Sequence, residues 1–406
     1  MVDIEMLTRA TPQITGAAPV VEVLRGGVEA IECIADEWRA LCAEGPCDQP
    51  FFRPEWIRAY VRAFAPDKKL LVLTVRIDGN LRAVLPLIEE RASLHGLPVR
   101  KLRSAANVHS CRFDLIHGAH QRAAAVQAIW DFLRRRTNWD VIELEDVPSG
   151  GAGELLVRLA VSGGYRGGQW ERPSGPFLAL SALEGRKGTL EETIQALTST
   201  KLRRSLRYDR RKLTANGPLR FAQFAYAEPE SLESFYQLES GGWKGKAGTA
   251  IACAAQTKQF YDEIAREATR CGYFSLYSLE QNGQMIAMQY CLTYAGRCHL
   301  LKPAYDEQFR KYSPGYLLTE DILHELVANG LREYDFMAPC LEWKTHWANG
   351  TRTQSSCYIF QRGVIGSLLH AWKFRLAQTA RHWKNKRQHG VSASREKKEN
   401  EATPTP

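Results

Sequence analysis

The sequence predicts an α+β protein of two tandem lobes, each a mixed, mostly antiparallel sheet flanked by helices, followed by a C-terminal helix. Three observations predict it. The chain has 406 residues, and compact domains usually run to about 100–200. Helical periodicities lie beside strand hairpins instead of alternating as regular βαβ units. One order of elements also occurs twice: Gly79 and Gly283 mark matching hairpin turns 204 residues apart, and Trp139-Asp140 and Tyr334-Asp335 mark matching strands 195 apart. This repetition points to duplication of one unit. The expected divisions are a loose tail 1–19, lobes 20–185 and 186–362, a basic amphipathic helix 363–390 and a disordered tail 391–406.

In the first lobe, Val28, Ile31, Ile34, Trp38 and Leu41 recur at helical spacing. Pro54 suits the first turn of a second helix reaching Phe64. Lys69–Ile77 alternates as a strand, Asp78-Gly79-Asn80 turns, and Leu81–Glu90 returns. A strand near Phe113–Ile116, a helix Gln121–Arg136 and a strand Trp139–Leu144 complete the unit. In the second lobe, helices are expected at Pro229–Leu238 and Ala254–Cys271. A hairpin follows, from Tyr273–Leu279 to Met285–Tyr294 through Asn282-Gly283. Then come a strand Cys298–Ala304, a helix Gly315–Asn329 and a strand Glu333–Met337.

The net charge is +9, but it is local. Lys201–Lys212 carries seven bases and one acid, and Gly363–Gly390 six bases and no acid, which leaves −3 elsewhere. A generally basic, nucleic-acid-coating protein is therefore not expected, and no DNA- or RNA-binding motif appears. The ten cysteines form no CxxC, and the N-terminal sequence lacks a signal-peptide pattern. A cytoplasmic protein is expected, with peripheral contact at the inner membrane as the variant suggested by the C-terminal segment. His109, Cys111, Asp114, His117 and His120 match no standard zinc spacing, so no metal is expected.

The most informative stretch is Leu300–Asp306 followed by Tyr312-Ser313-Pro314-Gly315-Tyr316. A strand ends, a loop follows, and a helix begins. Ser313 can cap the first amides, Pro314 fits the first turn, and Gly315 lets a ligand approach the backbone. Free N–H groups and the helix dipole favour an anion such as a pyrophosphate, with Arg310 and Lys311 just before it. Gly241–Thr249 has the glycines and lysines of a phosphate loop but lacks its Gly-Lys-Ser/Thr ending, so a nucleoside triphosphate is not expected there.

Four segments occur in a telling order: Gly242–Ile251, Lys302–Gly315, Tyr334-Asp335-Phe336 and Trp343-Lys344-Thr345-His346-Trp347. Together they resemble the CelD/BcsL family of acyltransferases (the BioF2-like acetyltransferase domain), a branch of the GNAT superfamily. The resemblance is strongest over 195–350 and continues more weakly into Pro50-Phe51-Phe52 and Arg82–Leu87. A remoter resemblance is to the FemABX aminoacyl transferases.

The family resemblance implies two GNAT-like lobes, an acetyl-CoA or other acyl-CoA donor, and a sugar or exopolysaccharide/cellulose-precursor acceptor. It implies transfer of acyl groups other than aminoacyl. It maps the CoA pyrophosphate to the helix after the fourth strand, here Arg310, Lys311, Tyr312, Ser313, Gly315 and Tyr316. The usual Arg/Gln-x-x-Gly-x-Gly/Ala loop is reduced to Gly315 alone. Direct transfer needs a base and a polarised carbonyl. Asp306 is the first candidate base, with Lys302 and His346 as further catalytic candidates. Trp243, Lys244, Trp343, Lys344 and Trp347 are candidates for holding the acceptor. Each has a structural alternative: loop capping for Asp306, a strand-end ammonium for Lys302, a structural imidazole for His346, sheet-edge packing for the tryptophans. Rival functions are aminoacyl transfer and a degenerate scaffold in polysaccharide synthesis.

Both basic segments read as amphipathic helices. Leu202, Leu206 and Leu213 share one face of the first, and its cations are either a solvated face or a dock for an anionic acceptor. Ile365, Leu368, Leu369, Trp372, Leu376, Ala380 and Trp383 line the second, which either packs on the N-terminal lobe or lies on an anionic membrane.

Overall fold

The computed structural model describes residues 3–7, 18–94, 96–180 and 199–376. The expected tail 391–406, the C-terminal part of the segment 363–390 and the 185/186 boundary lie outside these residues.

The strands, in chain order, are β1 (Asp3–Leu7), β2 (Val20–Gly26), β3 (Lys69–Ile77), β4 (Asn80–Leu94), β5 (Leu97–Ser104), β6 (Ile116–His117), β7 (Val141–Pro148), β8 (Arg166–Glu171) and β9 (Gly175–Ala179). They continue with β10 (Leu219–Phe224), β11 (Phe274–Gln281), β12 (Gln284–Tyr294), β13 (Arg297–Tyr305), β14 (Glu333–Asp335), β15 (Gly350–Arg352) and β16 (Gln354–Phe360). They form two sheets. The first runs β1-β2-β3-β4-β5-β7-β16-β8, with β6 beside β4; the second runs β10-β11-β12-β13-β14-β9-β15. Both hairpins turn where expected. Asp78-Gly79 and Asn282-Gly283 all have positive φ, the left-handed conformation that a tight hairpin turn requires.

The two sheets repeat one plan. In each, an antiparallel run ends in a strand paired in parallel over three residues: Lys101–Arg103 with Val141–Glu143, and Arg297–His299 with Glu333–Asp335. In each, a helix connects that parallel pair, Arg122–Arg135 in one lobe and Pro314–Ala328 in the other. The fold is thus α+β, in two tandem GNAT-like lobes.

The lobes exchange strands. β16, from the end of the second lobe, lies between β7 and β8 in the first sheet; β9, from the end of the first, lies between β14 and β15 in the second. A single cut near 185 therefore does not separate the lobes. The physical reason is edge pairing: β7 and β14 would otherwise present unpaired amides and carbonyls to solvent. The same logic applies at the opposite edge. Asp3–Leu7, expected within the loose tail, pairs antiparallel with β2.

The main core runs through both lobes. Helices Pro54–Phe64 and Ala255–Arg270 pack against each other, with the rings of Trp56 and Phe260 perpendicular at 5.3 Å. Ion pairs Arg58–Glu267 (2.8 Å) and Arg62–Glu263 (2.7 Å) cross the same seam. Pro54 occupies the first turn of its helix as expected. In the helix Thr200–Thr214, Ser199 caps the Leu202 amide at 3.2 Å and Leu206 and Leu213 are buried. The C-terminal segment is an α-helix Val364–Ala371 continued by a π-helical turn Trp372–Leu376. Among the described residues, no helix is long and apolar enough to cross a membrane.

Candidate functional site

β13 and β14 pair only as far as His299 and Asp335; beyond these residues the two strands part. β13 carries a bulge there. Lys302 faces Tyr290 and Leu300 faces Cys291, so Leu301 is the extra residue. The helix Pro314–Ala328 starts beside this opening, after a 3-10 turn Glu307–Tyr312.

Ser313 precedes that helix in the left-handed conformation, φ 50 and ψ 48. Its carbonyl accepts from the amides of Tyr316 (2.9 Å) and Leu317 (3.2 Å). Its hydroxyl does not cap the helix as expected; it stands beside the Asp209 carboxylate. Pro314 has no amide hydrogen, so the Gly315 N–H is the free donor of this turn among the described residues. A Cβ built on Gly315 would meet nothing within 4 Å. Arg310 and Lys311 are exposed next to it, the ammonium of Lys311 lying 4.8 Å from the Tyr312 ring centre. An open space, a free amide, a helix start and two cations suit a diphosphate.

Tyr316 Oη and His346 Nδ1 are 2.8 Å apart on the next turn. Burial, then the Glu342 carboxylate, raises the Tyr316 phenol above its ordinary value. Trp343 is half-buried, edge-on to Tyr316 at 6.5 Å. Trp347 is 1% exposed and lies 6.1 Å from the same ring. Trp347 is thus a packing residue, and of the candidate sugar-stacking rings Trp243, 54% exposed, and Trp343 present open surface.

The lysines sit at the parted strand ends. Lys344 Nζ donates to the carbonyls of Phe336 and Met337, both at 2.8 Å, and is buried; burial brings its ammonium down to about 8. Lys244 Nζ donates to Pro303 O (2.6 Å) on β13 and to Glu239 Oε1 (2.8 Å). These two hold the backbone on either side of the opening. The Lys302 side chain is half-buried, and its ammonium has no hydrogen bond or ion pair among the described residues and lies 5.6 Å from the Tyr261 ring. The His109 ring lies 5.8 Å from that ring; burial, then the charge of Lys302, brings its imidazole down to about 4. His109, from the first lobe, and Lys302, from the second, therefore flank one tyrosine at the seam.

Asp306 stands elsewhere. Its Oδ1 accepts the Gln308 amide at 2.9 Å and its Oδ2 accepts Gln284 Nε2 at 2.8 Å. Both oxygens are engaged in capping the 3-10 turn and tying it to the start of β12. The Gly241–Thr249 segment is held in place by local structure. Trp243–Lys246 is a short helix, and Lys246 pairs with Glu307 at 2.7 Å. Gly245 is required there, because a Cβ would lie 1.8 Å from Ser240 O.

Two features were not read from the sequence. Asp335, at the end of β14, is fully buried and bound by Arg112 from the first lobe and by Arg352 at 3.3 Å. Its place in the quoted Tyr334-Asp335-Phe336 motif was the available signal. The second feature is the asymmetry of the lobes. In the first, the opening between β5 and β7 is occupied by the chain itself. The Phe113 amide donates to Asp146 O at 3.2 Å, and Asp114 accepts from the amides of Leu115 (2.9 Å), Ala152 (2.8 Å) and Gly153 (2.6 Å). Phe113 and Leu115 are buried. The two lobes therefore differ in what lies beside their parted strands.

Comparison with known proteins speaks to the fold. Residues 200–345 match the sequence profile of the acetyltransferase (GNAT) domain family. No curated protein matches the chain. Among solved structures, FemX is similar at 11% identity and TM-score 0.52, covering 81% of this chain and 96% of its own. A conserved protein of unknown function from Bacteroides thetaiotaomicron is similar at 10% identity and TM-score 0.51, covering 83% and 98%. A tandem GNAT protein from the clavulanic acid biosynthesis pathway is 14% identical with TM-score 0.44, covering 85% and 100%. At these identities the likeness is one of fold. The chain has a GNAT-type acyltransferase fold.

Proposed function

We propose that the second lobe transfers an acyl group from acyl-CoA directly to an amine or hydroxyl of a sugar or polysaccharide-precursor acceptor. One observation carries this reading: β13 and β14 part beside a helix start where the Gly315 amide is free and the space above it is open. The Gly315 N–H, Arg310 and Lys311 would hold the diphosphate of acyl-CoA, which supplies an activated thioester carbonyl. The backbone at the Leu301 bulge is suited to donate to that carbonyl oxygen. The hydrogen-bonded pair Tyr316–His346 is placed to move a proton beside the cradle. Lys302 offers its unpaired ammonium to the acceptor side of the seam. The sugar acceptor rests on the CelD/BcsL resemblance, and the open rings of Trp243 and Trp343 supply faces on which a sugar can stack.

Calorimetry with acetyl-CoA and longer acyl-CoAs tests the donor. Saturable binding that is lost in Gly315→Glu supports the reading, because a carboxylate would then stand where the diphosphate sits. Absence of binding to every acyl-CoA, with the fold intact by circular dichroism, overturns it and favours a non-catalytic scaffold.

A second reading is aminoacyl transfer from aminoacyl-tRNA. It is favoured by the exposed Lys201, Arg204, Arg207, Arg211 and Lys212 on the helix Thr200–Thr214, next to Ser313 through Asp209. Such a stripe suits a large polyanionic donor. Aminoacyl-tRNA binding with no acyl-CoA binding would select it.

A further inference from the structure

We propose that the C-terminal helix seats the protein on an anionic lipid surface. The inference goes beyond acyl transfer and rests on a different part of the molecule.

Val364, Ile365, Leu368 and Trp372 are 76%, 57%, 57% and 48% exposed. At 100° per residue, these four fall within an arc of about 100° on one side of the helix. The rest of the helix is anchored. Leu369 is buried with Val99, Val141, Tyr358 and Phe360. The Phe374 ring lies 6.0 Å from Tyr358 and 6.5 Å from Phe360. Gly168 on β8 leaves room for Phe374, since a Cβ there would lie 2.8 Å from that ring. Held on β8 and β16 by this inner side, the helix cannot turn its outer apolar stripe toward the core.

Charge identifies the occupant. Gly363–Gly390 contains six Lys or Arg and no acid. Exposed Arg362 precedes the helix, and exposed Arg166 Nε donates to Ser367 Oγ on it at 2.8 Å. An outward apolar stripe on a segment whose sequence carries bases and no acids matches the interface of a bilayer with anionic headgroups, where both terms act together. A second copy of the chain would bring like charges face to face.

The test is sedimentation of the full chain with vesicles of phosphatidylcholine alone or mixed with phosphatidylglycerol, at low and high salt. Binding to the mixed vesicles that weakens with salt is expected. The Ile365→Glu/Leu368→Glu variant should bind them about tenfold or more weakly, from the lost burial of two large side chains. No preference for the anionic vesicles, or equal binding by the variant, overturns the proposal. Two further results overturn it by naming another occupant. Conversion of a dimer to a monomer by the double variant, seen in light scattering, assigns the stripe to a second copy. A cooperative loss of stability in the variant without vesicles assigns it to the chain's own residues after Leu376.

Discussion

Arg112, on the first-lobe segment after β5, donates a hydrogen bond to the carboxylate of Asp335 at the end of β14 in the second lobe. The arginine is 7% and the aspartate 0% exposed, so the pair is sealed in the seam directly below the parted strands. Burial works to raise the Asp335 carboxyl; Arg112, with His299 and Arg352, outweighs it and holds the group below its ordinary value. Removing Arg112 leaves the buried Asp335 carboxylate with the partly exposed Arg352, at 3.3 Å, as its ion-pair partner. Arg112→Met should therefore cost about 3–5 kcal/mol in urea unfolding, with Arg112→Met/Asp335→Asn losing less than the sum of the single variants. Additive losses would mean that the pair is not coupled.

The acid limb of stability should belong largely to His299. Its side chain is buried, neither ring nitrogen has a hydrogen-bond partner, and Phe51 packs edge-on at 5.2 Å. Burial, opposed by Asp335, brings its imidazole from 6.5 down to about 3. Between those values the unfolded chain takes up a proton that the folded chain refuses. Stability should thus fall as pH drops through this window, by about 1.4 kcal/mol per pH unit for the one site. His299→Leu should flatten that limb; an unchanged slope would assign it to other groups, such as His109.

Lys344 sets a separate alkaline signature. Its ammonium lies at about 8 against 10.5 when free, so the folded chain sheds its proton first. Stability should rise from pH 8 to 10.5 relative to Lys344→Met, which lacks the group. Urea midpoints of both proteins across that range check the sign.

Two tryptophans within three residues of His346 should behave differently. Trp347→Ala should lower stability by about 3–5 kcal/mol, because the ring is enclosed. Trp343→Ala, from a half-buried position, should cost less and act mainly on acceptor affinity. Comparable losses of stability would remove Trp343 from the acceptor surface.

The exchange of β9 and β16 predicts that neither lobe folds alone. A chain ending before Gln354 leaves β7 and β8 without the strand that both of them pair with. It should show reduced sheet content by circular dichroism and self-association in size exclusion. A monomeric, cooperatively melting truncation would contradict this.

The legible parts of the molecule were those with a local cause. Pro54 marked the start of its helix, the spacing of Leu202, Leu206 and Leu213 marked a helix at Lys201–Lys212, and Asp-Gly and Asn-Gly marked both hairpins, because first-turn preference, periodicity and turn conformation are set within a few residues. The start of the helix at Pro314 was legible for the same reason. Strands β8, β9, β15 and β16 were not anticipated. Their pairing partners lie far along the chain, and β8 and β9 alternate too weakly between buried and exposed positions to announce themselves.

The same division holds within the candidate site. Sequence alone determined that Arg310, Lys311 and Gly315 cluster at one helix start, since they are neighbours in the chain. Tertiary structure alone decided that Asp306 caps a turn, that Trp347 and Lys344 are buried, and that His109 meets Lys302 across Tyr261. It also decided how the two lobes differ beside their parted strands. Those outcomes depend on which surfaces the two lobes press together, and burial between distant segments leaves no periodic trace in either of them.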